Sequence, residues 1–389
     1  MSTTAHAHAR ARRRDRRVYL HSHPLLFGLL AATRGRPVRR LGRTLLVHGP
    51  EAYRQALTRL PLDRTAAGTT GAAARTALRD GGIGSGSGSG GVLFDQEGDG
   101  HRMDRRGLAG SLGSAVVEDL RSLWQPLLVR RLAPLDRGGE VDLVDLAREL
   151  SGSVVCALLG SGADPREVAG AAAEAAAAAV RSHLPGPRRP RAEAAAARAA
   201  DRLRLLLGPG GEALPAMLAV AAVNTTVAAL PRAVAWCADA GLWEQAADGA
   251  LRPVLADELL RVTAASPLLP RVAAADGAVG GCPVRGGDRL VLVARHAAGA
   301  HRRNPDALRP AGPAVDRLVF GAGPHACPGA RLARAQLADV LGALAPYRPV
   351  VTRARVDRGA ALPGWRVLTV RAGGRAAGSY GAGAYGAGA

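Results

Sequence analysis

Lysine is absent from the 389-residue chain, so every one of its 52 side-chain cations at neutral pH is arginine. Asparagine occurs only at positions 224 and 304, and isoleucine only at position 83. This skew towards Ala, Gly, Arg, Pro, Val and Leu is typical of a GC-rich genome, so the net charge of +20 does not by itself indicate a nucleic-acid surface. No basic stripe is interleaved with aromatic residues, and we therefore expect no nucleic-acid partner.

Long uninterrupted apolar runs are also missing. A membrane-spanning helix needs about 20 consecutive apolar residues, whereas the run at 24–32 is too short and that at 214–230 is interrupted by Asn224, Thr225 and Thr226. The arginine-rich start resembles a secretory signal, but no small-x-small cleavage site follows it cleanly. The sequence therefore predicts a cytoplasmic protein with no membrane span.

The four cysteines, at positions 156, 237, 282 and 327, have no paired spacing. This excludes both a disulfide framework and a tetrahedral zinc site of the usual kind. Because 48% of the residues are hydrophobic, the chain can bury a large core, and wholesale disorder is excluded as well.

Apolar periodicity interrupted by Gly and Pro predicts a chain that is mostly helical. Helices are expected at 24–34, 51–59, 99–112, 115–132, 143–159, 165–183, 191–207, 214–240 and 330–344. Strands are expected at 37–48, 350–356 and 365–371, with a hairpin over 278–293 that turns at 286–288. The fold class predicted is therefore mostly α with small β regions, in a single domain.

Low-complexity segments set the limits of that domain. We expect a disordered arginine-rich leader over 1–19, the folded domain over 20–372 and a low-complexity tail over 373–389. The Gly/Ser run at 81–91 is expected to form a flexible loop, either a lid or a plain insertion. The alanine tract at 171–180 has high helix propensity but little side chain to pack, so a mobile surface helix is predicted there.

The most specific pattern is FGAGPHACPG at 320–329, which a helix follows directly. A cysteine thiolate is a soft, strong iron ligand, and Gly321 permits the tight turn needed to present one. Cys327 is expected just before the helix N-terminus, where the helix dipole favours the anionic sulfur. Pro328 suits a first helical turn, and Gly329 lets the backbone approach a large planar group.

This run resembles the haem-binding loop of the cytochrome P450 family, whose F-G-x-G-x-H-x-C-x-G pattern it matches from Phe320 to Gly329. The resemblance covers residues 20–372 and implies the triangular, prism-like fold of that family. It implies haem b as the cofactor, with Cys327 as the axial iron ligand. Phe320, Gly321 and Gly329 would then contact the haem.

The resemblance also implies residues for the haem propionates. The family places a His and an Arg four positions apart on one helix, and His101 and Arg105 match them and would share a helical face. Arg271, after a short Pro-containing segment, and His325 of the cysteine loop complete the set.

Glu258 and Arg261 match the E-x-x-R pair of the family, whose role is structural. The family usually supplies a third member, an arginine, from a P-x-R-F segment that this chain lacks. Arg309 is the candidate for that position.

The stretch 221–226, AAVNTT, stands where the family has A-G-x-[D/E]-T-T on a long helix across the haem. Thr225 matches the threonine that hydrogen-bonds dioxygen and relays protons, and Thr226 follows it. Ala222 replaces the glycine, a tolerable change. Asn224 replaces the acid, and an amide cannot shuttle protons as a carboxylate does.

The resemblance implies a monooxygenase that hydroxylates or epoxidises a bacterial secondary metabolite, a small molecule or peptide, using O2. Electrons would come from a ferredoxin and its reductase, attracted by Arg102, Arg106, Arg331 and Arg334, and the enzyme would be a monomer. Asn224 favours an alternative, a haem-thiolate enzyme that performs oxidative coupling, nitrene-type transfer or another reaction without oxygen insertion. A non-catalytic haem sensor is a further alternative.

Overall fold

A computed structural model of the chain describes residues 3–69, 72, 93, 98–182, 190–208 and 213–373. The Gly/Ser run at 81–91 and the tail from 374 onward lie outside the described residues, so the expectations for them stay predictions.

Helices make up most of the described chain, as the periodicity predicts. Their bounds are α1 Thr3–Ser22, α2 Pro24–Thr33, α3 Pro50–Thr58, α4 Gly98–Ser111, α5 Ser114–Leu132, α6 Leu143–Leu159, α7 Pro165–Ser182, α8 Pro190–Leu207, α9 Ala213–Ala240, α10 Trp243–Ala247, α11 Leu251–Thr263, α12 Ala294–Ala297, α13 Pro313–Asp316 and α14 Ala330–Leu344. The nine helices predicted from the sequence agree with the observed bounds to within one or two residues, and the fold class is confirmed.

The strands form small sheets at the edge of the helical body. Their bounds are β1 Val38–Leu41, β2 Thr44–Val47, β3 Glu140–Asp142, β4 Leu269–Val272, β5 Gly277–Val279, β6 Cys282–Val284, β7 Arg289–Leu292, β8 Val350–Asp357 and β9 Gly364–Arg371. The sheet orders are β1-β2-β7-β4, β3-β9-β8 and β5-β6.

A hairpin forms within 278–293, but the position predicted for its turn is wrong. The turn lies at Gly280 and Gly281, both with positive φ, between β5 and β6. The segment at 286–288 instead leads into β7, which pairs in parallel with β2 and antiparallel with β4. The sequence offers two glycine pairs as the turn, 280–281 and 286–287. The pairing of β7 with the distant strand β2 decides which pair forms the hairpin turn.

Helix α9 is the centre of the core. It packs against α1, α6, α7 and α11, and against strands β8 and β9. Among the described helices it alone is long and apolar enough to cross a membrane, and the polar residues at 224–226 do not interrupt it. Its second half, around Val234 and Trp236, is buried in the core on all sides.

The expectation of a disordered leader is wrong, because residues Thr3–Ser22 form α1. Asp15 is 3% exposed and accepts hydrogen bonds from Arg232 Nε at 2.9 Å and from Arg295 Nη1 at 2.7 Å. Val18 is fully buried beside it. A single acid within a run of arginines thus compensates two buried guanidinium groups and fixes the helix to α9.

The alanine tract is also not the mobile surface helix predicted. Helix α7 buries Ala171, Ala172, Ala175 and Ala178 and packs against α6, α8 and α9. Small side chains let helix backbones approach closely, so a tract with little side chain to bury still forms core.

We expect Asp15→Ala to lower the free energy of unfolding by about 3–5 kcal/mol, because it leaves buried guanidinium groups unpaired. The matched control is Asp119→Ala, at an exposed position of α5, which should change it by less than about 0.5 kcal/mol. Urea unfolding followed by circular dichroism measures both. Equal, small effects would contradict the role given to α1.

Candidate functional site

The cysteine loop is a tight hairpin that ends at α14. The Cys327 N–H donates to the Phe320 carbonyl oxygen at 2.7 Å and closes it. Gly321 has φ +78°, which L side chains rarely adopt, so glycine is required there. Gly329 caps α14, which begins at Ala330, so Pro328 lies in the turn before the helix and not in its first turn as predicted.

The Cys327 side chain is exposed, yet the surrounding chain is dense enough that burial raises the pKa of its thiol. The Gly329 N–H and the charge of Arg105 act in the opposite direction and are outweighed. Burial therefore opposes the anionic sulfur that the helix N-terminus is expected to favour. A bound metal ion would favour it, because coordination deprotonates a thiol.

Helix α4 docks directly on the cysteine loop. The rings of His101 and His325 stack with their centroids 4.0 Å apart, and Arg105 Nη1 donates to the Ala326 carbonyl oxygen at 2.7 Å. The spacing of four therefore places His101 and Arg105 on the face predicted, beside the loop.

Arg271 approaches the same region from β4. Its Nη1 donates to the Pro270 carbonyl oxygen at 2.8 Å, whereas its Nε is buried without a hydrogen-bond acceptor among the described residues. Burial, and then the charge of Arg64, lowers the pKa of Arg271 to about 10. A buried donor without an acceptor is costly, and it indicates a place for an anion.

Positive charge converges on His325. Burial, followed by the charges of Arg64, His101, Arg271 and Arg105, lowers the pKa of His325 to about 3. The mutual repulsion of these groups would be relieved by an anion with more than one carboxylate. The four residues predicted to hold the propionates are thus brought together.

Two residues of this cluster were missed from the sequence. Arg64 is the group whose charge acts on both Arg271 and His325. Tyr53 is fully buried, its hydroxyl has no hydrogen-bond partner among the described residues, and burial raises its pKa against the opposing charge of Arg271. No local pattern distinguishes either residue from an ordinary loop arginine or core tyrosine.

The middle of α9 is less buried than its second half. Residues 220–222 and 224–227 are half-buried, whereas 228–237 are buried without interruption. Thr225 Oγ1 donates to the Ala221 carbonyl oxygen at 2.8 Å. Ala222 and Thr226 lie in the same half-buried stretch, where their predicted roles stay predictions.

Asn224 points its amide nitrogen at two backbone carbonyls. Nδ2 donates to the Val220 oxygen at 2.7 Å within α9 and to the Ala172 oxygen of α7 at 3.2 Å. Both N–H groups of the amide are therefore used on backbone.

Glu258 and Arg261 form a buried ion pair, as the E-x-x-R pattern implies. The Nε–Oε1 and Nη2–Oε2 distances are 2.9 and 2.6 Å, and neither side chain is more than 1% exposed. Arg261 also donates to the carbonyl oxygens of Ala298 and Asn304, and the Ala311 N–H donates to Glu258 Oε1.

Arg309 is not the third member of this pair. Its side chain is exposed and lies 3.4 Å from Asp306. Backbone groups of the segment 298–311 take the place that an arginine fills in the family pattern. Once the backbone satisfies the buried charges, a third side chain is not required.

Comparison with known proteins places this geometry in context. No family model matches the chain. A curated relative, the 20-oxo-5-O-mycaminosyltylactone 23-monooxygenase of Streptomyces fradiae, is 33% identical over 153 residues, which are 39% of this chain and 34% of that protein. The chain thus matches about a third of the length of that relative.

Solved structures match over nearly the whole chain. Cytochrome P450 EryK from S. erythraea has a TM-score of 0.70 at 22% identity over 92% of this chain and 98% of its own. The mycinamicin VIII C21 methyl hydroxylase MycCI from Micromonospora griseorubida has a TM-score of 0.65 at 25% identity over 88% and 95%. The protein has the cytochrome P450 fold, and the resemblance inferred from the cysteine loop is confirmed.

The site residues fit haem b. Cys327 offers an exposed sulfur, and the cationic cluster, with the buried Nε of Arg271 that has no acceptor among the described residues, suits two propionates.

We expect Arg271→Met to accelerate the loss of haem several-fold while leaving the apoprotein as stable or more stable. The reason is that the variant removes an anion partner and, at the same time, a buried unsatisfied donor. Haem transfer to excess apomyoglobin and thermal unfolding of the apoprotein measure the two effects. Arg289→Met, at an exposed position of the adjacent strand β7, is the control and should change neither; equal haem loss in both would contradict the assignment.

Proposed function

We propose that the protein is a haem-thiolate oxidoreductase that oxidises a bacterial secondary metabolite, by default through monooxygenation. The observation that carries this proposal is the position of Cys327, exposed on a closed glycine hairpin next to His325 and its cationic neighbours. The monooxygenase and hydroxylase named among the relatives support the same class of reaction.

Haem b, when bound, supplies a redox-active iron at which dioxygen is reduced and an organic substrate oxidised. Cys327 would hold that iron, on a loop that its own N–H closes by donating to the Phe320 carbonyl oxygen. His101, Arg105, Arg271 and His325 would hold the propionates.

Thr225, on α9, would act on dioxygen and its protons, as the resemblance implies. Its only proton is donated to the Ala221 carbonyl oxygen, so its hydroxyl oxygen is left to accept. It can therefore orient a water molecule or a protonated group that approaches along α9. Ala222 and Thr226 would bound the same space with small side chains.

Asn224 favours a second candidate function. Its amide cannot deliver protons as a carboxylate does, which suits a reaction that does not insert oxygen, such as oxidative coupling. The products formed from candidate substrates with NADH, ferredoxin reductase and ferredoxin distinguish the two. A non-catalytic haem sensor would form no product at all.

The proposed ferredoxin surface is narrower than the sequence suggested. Arg102 is paired with Asp99, and Arg334 with Asp257. Arg106 and Arg331, on α4 and at the start of α14, are exposed and form no ion pair with the described residues. Helix α4 contacts the cysteine loop, and α14 follows that loop directly.

We expect Cys327→Ala to abolish the strongly red-shifted Soret band that a thiolate-ligated haem gives with carbon monoxide after reduction. The change removes the only sulfur that the loop offers to iron. Cys282→Ala, on strand β6, is the control and should retain the band. A normal spectrum in Cys327→Ala would overturn the proposed function.

We expect Arg106→Glu combined with Arg331→Glu to slow reduction by an acidic ferredoxin by roughly tenfold at low salt, since steering between opposite charges is lost. The wild-type rate should fall steeply with ionic strength. Stopped-flow reduction under carbon monoxide measures it. The charge-matched control, Arg353→Glu with Arg366→Glu on the exposed faces of β8 and β9, should reduce at the wild-type rate; equal slowing in both pairs would contradict the docking surface.

A further inference from the structure

We propose that Asn224 is a positioning residue that fixes α7 against α9 beside Thr225, and that it takes no part in proton delivery. The connection to Thr225 chemistry rests on the proposed function, whereas the link between the two helices does not. The proposal concerns the position that, by resemblance, carries the acid of the family pattern.

The amide of Asn224 has a single satisfactory orientation. Nδ2 lies 2.7 Å from the Val220 oxygen and 3.2 Å from the Ala172 oxygen. Both partners are carbonyls and can only accept, so the group facing them must be the one with two N–H donors. A carboxylate has no donor, and at this place it would lie against two carbonyl oxygens of like partial charge.

The contact depends on the alanine face of α7. Ala171 and Ala172 of α7, and Ala216 and Ala219 of α9, are all buried within one apolar cluster. Without larger side chains between them, the helix backbones come close enough for a short side chain to reach across. These alanines contribute only methyl groups to the contact between α7 and α9. Asn224 adds a directional hydrogen bond to that contact.

Thr225 continues the same arrangement by one residue. Asn224 donates to the Val220 carbonyl and Thr225 to the Ala221 carbonyl, each four residues back along α9. Two neighbouring side chains thus donate hydrogen bonds to two neighbouring backbone carbonyls of the preceding turn, and these bonds hold both side chains against the helix. The same short stretch of α9 therefore determines both the position of the Thr225 hydroxyl and the distance between α7 and α9.

The experiment compares the same substitution at the two asparagines of the chain. Asn224 donates hydrogen bonds through its side-chain nitrogen. Asn304 instead accepts one through its side-chain oxygen, from Arg12 Nε at 2.6 Å. Asn224→Asp therefore loses both hydrogen bonds, while Asn304→Asp keeps the acceptor and gains a charge opposite Arg12. Asn224→Leu, which keeps the branching at Cγ, removes the donors without adding a charge.

We expect Asn224→Asp to lower Tm by several degrees at pH 7 and to raise amide hydrogen exchange in α7 around residue 172 by roughly tenfold. Asn224→Leu should raise exchange as well, and Asn304→Asp should change neither quantity. The loss of Tm in Asn224→Asp should shrink as the pH falls towards 5, because the protonated carboxyl regains one donor. Exchange in α7 that is unchanged by Asn224→Asp would overturn the proposal.

The same variants separate a positioning role from a relay. With a substrate that is turned over, Asn224→Asp should not raise the amount of product formed per NADH consumed; a several-fold rise would overturn the proposal and make the site a weakened relay. The exchange and Tm measurements need no catalysis. If Cys327→Ala contradicts the proposed function, they still test the link between α7 and α9.

Discussion

The Glu258–Arg261 ion pair is the interaction on which the position of the cysteine loop depends. Removing two charges from water is costly, and a buried pair offsets that cost only when its remaining donors and acceptors are satisfied. Here the Ala298 and Asn304 carbonyls and the Ala311 N–H satisfy them. These groups belong to the segment that leads into the loop, so α11 holds Cys327 in place through a coil with little regular structure of its own.

The buried arginines of the helical body are paired with carboxylates, whereas the cationic groups around His325 act together on one imidazole. Asp15 neutralises Arg232 and Arg295, and Glu258 neutralises Arg261, so these guanidinium groups are buried with carboxylates. Around His325 the charges that act on the imidazole are all cationic. In a chain whose net charge is +20, overall charge says little about function, whereas the place where several cationic groups converge on one imidazole is informative.

Local signals made most of the fold predictable. Gly and Pro set the ends of helices such as Leu143–Leu159 and Ala330–Leu344, and the cysteine run identified the loop because several backbone constraints coincide there. The errors came from distant partners. Nothing near Asp15 reveals Arg232, the alanine tract gives no sign of the helices that cover it, and Arg309 was assigned by pattern although backbone groups already satisfy Glu258. Arg64 and Tyr53 join the site only through folding.

The Asp15 contacts also constrain the order of folding. Arg232 and Arg295 follow Asp15 by 217 and 280 residues, so the Asp15 carboxylate cannot form these ion pairs until both distant segments have been synthesised. Contacts of such long sequence separation form slowly. The first helix therefore docks late, and until then the arginines of α9 and α12 that it will neutralise must stay hydrated, which delays closure of the core around the second half of α9.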